Sequence, residues 1–448
     1  MLANLLGVFP HVIDSFARSG GGGSSSGGGG GESIIVLLGY VPMHYVGRWL
    51  RKHGDSTVAS VAQQVIGWII AVVYAVFWMY IWGGIGFLIG IGSLAGIGAG
   101  LYNWFSKIKQ NSFVQGALKQ AAQKDSAWDE EALLSRARDV FSQYQRDWSA
   151  QNVEAMRAYM TPGYQFHAAL LIHALQLSSR QNIVENPQIS EAVIVAVEDS
   201  PDDNQDTVTI GITATATDRL VDKRDDVQLF TDRSAFTEFW RFRRQGNTWL
   251  LDGIQQATES AWVHNPSLEQ FAAQNGYYFS ADMGWLLVPA RGQLFGSAKF
   301  GKSDINNHVI GLYKHQLLIQ MYTYKPNPEN SKSYLIAQVN VPKSYGSIVV
   351  RRKKALQFMG ISGLEKVSTE WSQFNDKYEV FASSAEQATS FELLNPSYME
   401  KLEAAPFEVN IEVVDNVVYF YSDERTADAA NYQAMLNLLQ LAFNEMKL

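Results

Sequence analysis

The stretch FTEFWRFRRQGNTWLLDGI, Phe236 to Ile254, sets the fold class of the globular part of this chain. Successive side chains of a strand point to opposite sides, so Phe236, Trp240 and Phe242 share one face of an extended segment. Gly246 and Asn247 are turn residues that send the chain back as a second strand, Trp249 to Ile254. Toward the N-terminus, Ala192 to Val197 and Val208 to Ala216 are also strand-like, separated by the charged turn Ser200 to Asp206. In the second of these, Val208, Ile210, Ile212, Ala214 and Ala216 alternate with threonines. Before the strands the period changes to 3.6. Leu133, Leu134, Ala137, Val140, Phe141, Tyr144 and Trp148 form a helical stripe, a short helix passes through Val153, Met156 and Tyr159, and Thr161-Pro162-Gly163 breaks it from a third, enclosed helix over Tyr164 to Ser179. Helices first and then an antiparallel meander make an α+β domain with the helices backing the sheet.

The run FSQYQRDWSAQNVEAMRAYMTPGYQ (Phe141 to Gln165), taken with Phe236 to Ile254, resembles the C-terminal domain of the mitochondrial inner-membrane translocase subunit forty-four and its bacterial relatives. The resemblance covers about Trp128 to Thr258, and its most specific part is the strand Trp240-x-Phe242-x-Arg244 followed by Trp249. It implies a nuclear-transport-factor-two-like cone over residues 128–258, with a curved antiparallel sheet and an apolar pocket, and a tether's role at an acidic membrane. The rings and side chains at Trp148, Tyr164, Phe166, Leu170, Phe236, Trp240 and Phe242 either line such a pocket for acyl chains or apolar peptide segments, or close on one another as a core.

Further out lies a membrane signal. Ser56 to Ser106 contains no Asp, Glu, Lys or Arg, which is long enough for two spanning helices, over 65–82 and 85–102, broken at Gly83 and Gly84. Gly86 and Gly90, then Gly92, Gly96 and Gly100, have the small-xxx-small spacing of closely packed helices. Arg48, Arg51 and Lys52 precede the hairpin and Lys107, Lys109, Lys119 and Lys124 follow it, so both ends are expected in the cytoplasm of a bacterial inner-membrane protein. Residues 1–32 read as an amphipathic start and a Gly/Ser tether, 33–47 as a short apolar segment that is re-entrant, interfacial or a marginal extra span, and 107–127 as a juxtamembrane helix or linker. Beyond the cone, 259–276 reads as a linker with a helix over Pro266 to Asn275, and 277–448 as a second α+β domain. Strands are expected there at Ser333 to Val341, Ser347 to Arg352, Val409 to Val414 and Val417 to Tyr421, and helices at Ala385 to Phe391 and Ala427 to Met446. The segments Leu364 to Ala382 and Leu393 to Leu402 resemble a bacterial membrane-associated domain of unknown function.

Composition narrows the chemistry. A net charge of -8 and a pI near 5.6 argue against nucleic-acid binding, which needs a basic surface. Without cysteine there is no thiolate chemistry or Cys-based metal site, and the 8 histidines lack ligand spacing, so neither metal nor cofactor is expected. Gly296-x-x-x-x-Gly301-Lys302-Ser303 matches the phosphate-binding P-loop pattern, which requires a helix after it; instead Asn306 to Tyr324 alternates like strands broken at Gly311, so nucleotide is not expected. Arg351, Arg352, Lys353 and Lys354 either meet anionic lipid headgroups or form a solvated hairpin end. Asp147, Glu154, Glu238 and Asp252 have no partner whose spacing assigns acid/base roles, so no catalytic residue is named. The sequence points to a non-enzymatic, membrane-anchored tether with membrane lipids and a protein as partners, linked to protein transport or membrane-protein assembly. The alternative is an enzyme, either a cone-fold hydrolase or an NTPase using Lys302.

Overall fold

The computed structural model describes residues 80, 113–256, 265–296, 298–326, 333–342, 344–353, 361–383, 394–423 and 427–445. The expected membrane hairpin, the segments preceding it, the helix expected at Ala385 to Phe391, and Lys354 lie outside the described residues. Among the described residues no helix is long and apolar enough to cross a membrane. Along them the chain divides into two compact units after Ser126. In the first, a helix over 113–124 buries Val114, Leu118 and Ala121, a single stripe at helical spacing.

The second unit opens with three helices. Helix α1 (Glu130–Ser149) is capped by Asp129, whose carboxylate accepts from the Ala132 N–H at 2.8 Å, and it buries the expected stripe from Leu133 to Trp148 except Leu134, which is half-buried. Helix α2 (Val153–Met156) follows. Helix α3 (Pro162–Leu177) begins two residues earlier than expected, because Thr161 is its N-cap and Pro162 its first residue, so the break and the helix start coincide. Five antiparallel strands then form the first sheet: β1 (Arg180–Glu198), β2 (Thr207–Asp222), β3 (Val227–Asp232), β4 (Phe236–Gln245) and β5 (Thr248–Gln256). They lie in the order β1-β2-β4-β5, with β3 also on β2. Strand β1 is far longer than its sequence signal. Its middle carries Asn186, Pro187 and Ser190, which blur the alternation, yet it pairs with β2 through three register shifts. The core between helices and sheet is aromatic: Phe141 and Tyr144 lie 5.3 and 5.4 Å from Trp240, and Trp128 lies 4.9 Å from Trp249.

A second antiparallel sheet follows helix α4 (Pro266–Gln274). Its strands are β6 (Tyr278–Gly284), then, after the single-turn helix α5 (Gly292–Phe295), β7 (Asp304–Tyr313), β8 (Leu317–Lys325), β9 (Tyr334–Asn340), β10 (Ser347–Arg352) and β11 (Glu365–Val367). After helix α6 (Ser372–Lys377) come β12 (Tyr378–Ala382), helix α7 (Pro396–Glu403), β13 (Asn410–Val414), β14 (Val417–Asp423) and helix α8 (Ala429–Glu445). The order is β11-β12-β10-β13-β14-β9-β8-β7-β6. Helix α4, expected as a linker, is built into this sheet's core through Leu268, Phe271 and Ala272, with Phe271 edge-on to Tyr432 of α8. Gly311 does not break β7; the turn comes at Lys314 and His315, both at positive φ. Gly311 is there because the Tyr277 ring lies on it: a Cβ at that position would sit 1.8 Å from the ring.

Candidate functional site

Of the seven residues expected around an apolar pocket, Trp148, Leu170, Phe236, Trp240 and Phe242 are buried in the first sheet's core. Their polar atoms are satisfied there, Trp148 Nε1 donating to Asn182 at 2.8 Å and Trp240 Nε1 to Glu238 at 2.9 Å. Their rings are in contact between helices and sheet, Trp240 with Phe141 and Tyr144, and Trp148 with Tyr144. The other two residues point elsewhere. Phe166 is 41% exposed and its ring lies 6.0 Å from Tyr278 of the second sheet, while Tyr164 lines a cleft.

That cleft, about 530 Å³, lies at the seam of the two sheets. Helix α3 supplies Gly163, Tyr164 and His167; β4 supplies Arg241 and Arg243; β5 supplies Asp252 to Gln255; α4 supplies Glu269, Ala272 and Ala273; and residues 277–281 form the facing wall. A bulge builds its charged side. Arg241 pairs with Gly253 and Phe242 with Leu251, leaving Asp252 as the extra residue, and its carboxylate settles between the two guanidiniums. Asp252 Oδ2 lies 3.2 Å from Arg241 and 3.1 Å from Arg243, and Oδ1 accepts from the Thr161 hydroxyl at 2.9 Å. Two cations share this one carboxylate. Opposite them the wall is aromatic, with His167 stacked on Tyr278 at 5.1 Å and 4°. Burial pushes the His167 imidazole down to about 3, with buried His308 a second cause, so the ring is neutral; its Nε2 has no hydrogen-bond partner among the described residues. Such a site can hold an apolar body and orient an anionic end.

Side chains also join the two sheets. Gln256 Nε2 donates to the Asp282 carbonyl at 3.2 Å, Arg180 donates to the Val288 carbonyl and lies over Phe300 at 4.9 Å, and Phe230 packs on Trp285 at 4.3 Å. The P-loop-like segment belongs to this seam. It runs from the end of α5 through a turn into β7, the reverse of the strand–loop–helix order that gathers N–H groups on phosphate. Gly301, at φ +77, lies beneath the Phe230 ring, and Ser303 Oγ donates to the Pro326 carbonyl at 3.0 Å.

The basic run is engaged within its sheet. Arg351 meets Glu379 at 3.0 Å and lies over Phe381, and Arg352 meets Glu408 at 3.4 Å and lies over Tyr378. Burial would raise Glu379, but Lys366 and Arg351 outweigh it and hold the carboxyl below its usual value. The acidic residues named from the sequence are dispersed: Asp147 accepts from Tyr159, Glu154 pairs with Arg157, and Glu238 accepts from Trp240. Sequence reasoning missed Arg241, Arg243, Tyr277 and Tyr278. The available signal was the pair Arg241-x-Arg243 on the face opposite Trp240, with Asp252-Gly253 interrupting the neighbouring strand.

Among protein families, the model described as Tim44-like domain matches residues 114–256. No curated protein matches the chain. Among the solved structures similar in part are two of low overall likeness. The mycobacterial trehalose monomycolate transport factor A, TtfA, is 12% identical, with 40% of this chain and 92% of that one covered and a TM-score of 0.31. The intermembrane space region of the chloroplast protein ARC6 is 12% identical, with 28% and 95% covered and a TM-score of 0.22. The chain therefore carries a Tim44-like domain at residues 114–256.

Proposed function

We propose that the protein is a membrane-anchored binding and tethering protein, held in a bacterial inner membrane by the 56–106 hairpin with its globular part in the cytoplasm. It receives an apolar protein segment or a lipid acyl chain in the seam cleft, in the service of protein transport or membrane-protein assembly. The observation that carries this reading is the make-up of the cleft, where aromatic walls supply contact area and the Arg241 and Arg243 pair supplies orientation. The test uses the full chain in lipid nanodiscs, with a fluorescent fatty acid and a labelled apolar helical peptide as probes. Ala273, exposed on the cleft wall, is replaced by Trp to fill the space without touching the core. Saturable binding of either probe is expected in the parent, weakened about tenfold in Ala273→Trp at unchanged Tm. If neither probe saturates the parent, or the filled variant binds as well, the proposal fails.

A further inference from the structure

The cleft is bordered by two strand edges. Strand β5 ends the first sheet and β6 ends the second. Asp252, Gly253, Ile254 and Gln255 line the cleft in unbroken succession, and so do residues 277–281. Side chains alternate along a strand, so a run of consecutive lining residues shows that the strand presents its edge rather than one face. Contacts at two ends give the mutual direction of these edges. At one end, Thr161 bonds Asp252, and a Cβ placed on the nearby Gly163 would lie 3.6 Å from the Tyr278 hydroxyl; at the other, Gln256 bonds the Asp282 carbonyl. Strands β5 and β6 therefore run in the same direction on either side of the cleft.

The β5 edge already accepts strand pairing from its own chain. Leu251 N–H donates to the Tyr159 carbonyl at 2.8 Å and Thr161 N–H donates to the Leu251 carbonyl at 2.9 Å, a parallel bridge centred on Met160. The chain then turns into α3, and from Asp252 onward the same edge faces the cleft. An edge row of backbone donors and acceptors is a template for a further strand.

We propose that the cleft takes an extended peptide segment by strand addition to β5, continuing the line begun by Tyr159 to Thr161, with an acidic residue of the peptide seated on Arg241 and Arg243. The charge argument is local. Each guanidinium carries five donors, and the two share a single carboxylate, so an added carboxylate gains charge-assisted hydrogen bonds there. Apolar side chains of the alternate set lie against Tyr164, Tyr277 and Phe279.

This rests on the cleft being the binding site, and the test separates the two ideas. The full chain in nanodiscs is titrated with the labelled, acetylated peptide Val-Thr-Val-Asp-Val-Thr-Val, with two forms N-methylated on alternate residues in either register, and with the Asn analogue of its Asp. The parent peptide is expected to bind at micromolar level, with one N-methylated form at least about tenfold weaker and the other near parent. Arg241→Ala and Arg243→Ala should each weaken the Asp peptide several-fold and leave the Asn analogue unchanged. No binding of the parent peptide, or equal binding by both N-methylated forms, overturns strand addition, while the apolar probes still binding and still responding to Ala273→Trp would leave the cleft reading intact.

Discussion

At His167 two effects oppose protonation, the loss of hydration on burial and the neighbouring His308, while stacking on Tyr278 holds the ring in place. The unfolded chain takes up a proton near the ordinary histidine value of about 6.5 and the folded chain only near 3, so stability from this group is present above 6.5 and is lost as pH falls toward 3. His308, held down to about 4 by burial, acts with the same sign. His167→Phe keeps an aromatic ring on Tyr278 and removes both the proton uptake and the unpartnered nitrogen. Urea unfolding should show the variant gaining about 2 kcal/mol over the parent at pH 5 and at most about 1 at pH 7. An equal change at both pH values would show that the imidazole does not stay neutral in the fold. Asp304 has the opposite sign: burial and Asp282 push its carboxyl up to about 7, so its contribution declines as pH rises through the range between 4 and 7.

At the scale of elements, the seam depends on glycines placed under rings. Strand β7 passes beneath Tyr277 only because Gly311 has no Cβ. Gly311→Ala should cost about 2 to 3 kcal/mol by forcing the ring or the strand aside, and little of that cost should remain in a Tyr277→Ala background. A double-mutant cycle by chemical denaturation decides the matter, since a full cost in both backgrounds would mean that the strand itself rejects the methyl group. The long edge strand β1 is protected in another way. Its start is met by the end of α1, where Val184 N–H donates to Ser149 Oγ at 2.8 Å, and from Pro187 onward successive bulges hinder pairing with a foreign strand. Strand β5 has one bulge, at the cleft, and it serves to place Asp252 between two arginines.

For the whole molecule, the proposed anchoring makes a topology prediction that the absence of cysteine renders simple to check. Gly84→Cys, at the hairpin tip, should react with a membrane-impermeant maleimide added to intact spheroplasts, and Ser112→Cys should react only after permeabilisation. Labelling of Ser112→Cys from outside would place the globular part on the other side of the membrane. The sequence alone determined the longer helices α1, α3, α4 and α8, the short α2 and most strands of the globular part, and left out α5, α6 and α7. The signals it used are local: a 3.6 or 2 residue period, and a cap followed by proline at Thr161-Pro162 and Asn265-Pro266. It also marked Trp240 and its neighbours as inward-facing, because alternation encodes which side is apolar. What covers that side is set by chain distant in sequence, and only the tertiary structure showed that α1 closes on Trp240 as packed core. The same holds for the full length of β1, for the GxxxxGKS segment lying beneath Phe230, and for the cleft. Residues 241–255 and 277–281 form one site because two sheets, each closed on its own core, meet along their edges, and no periodicity within either sheet records that meeting.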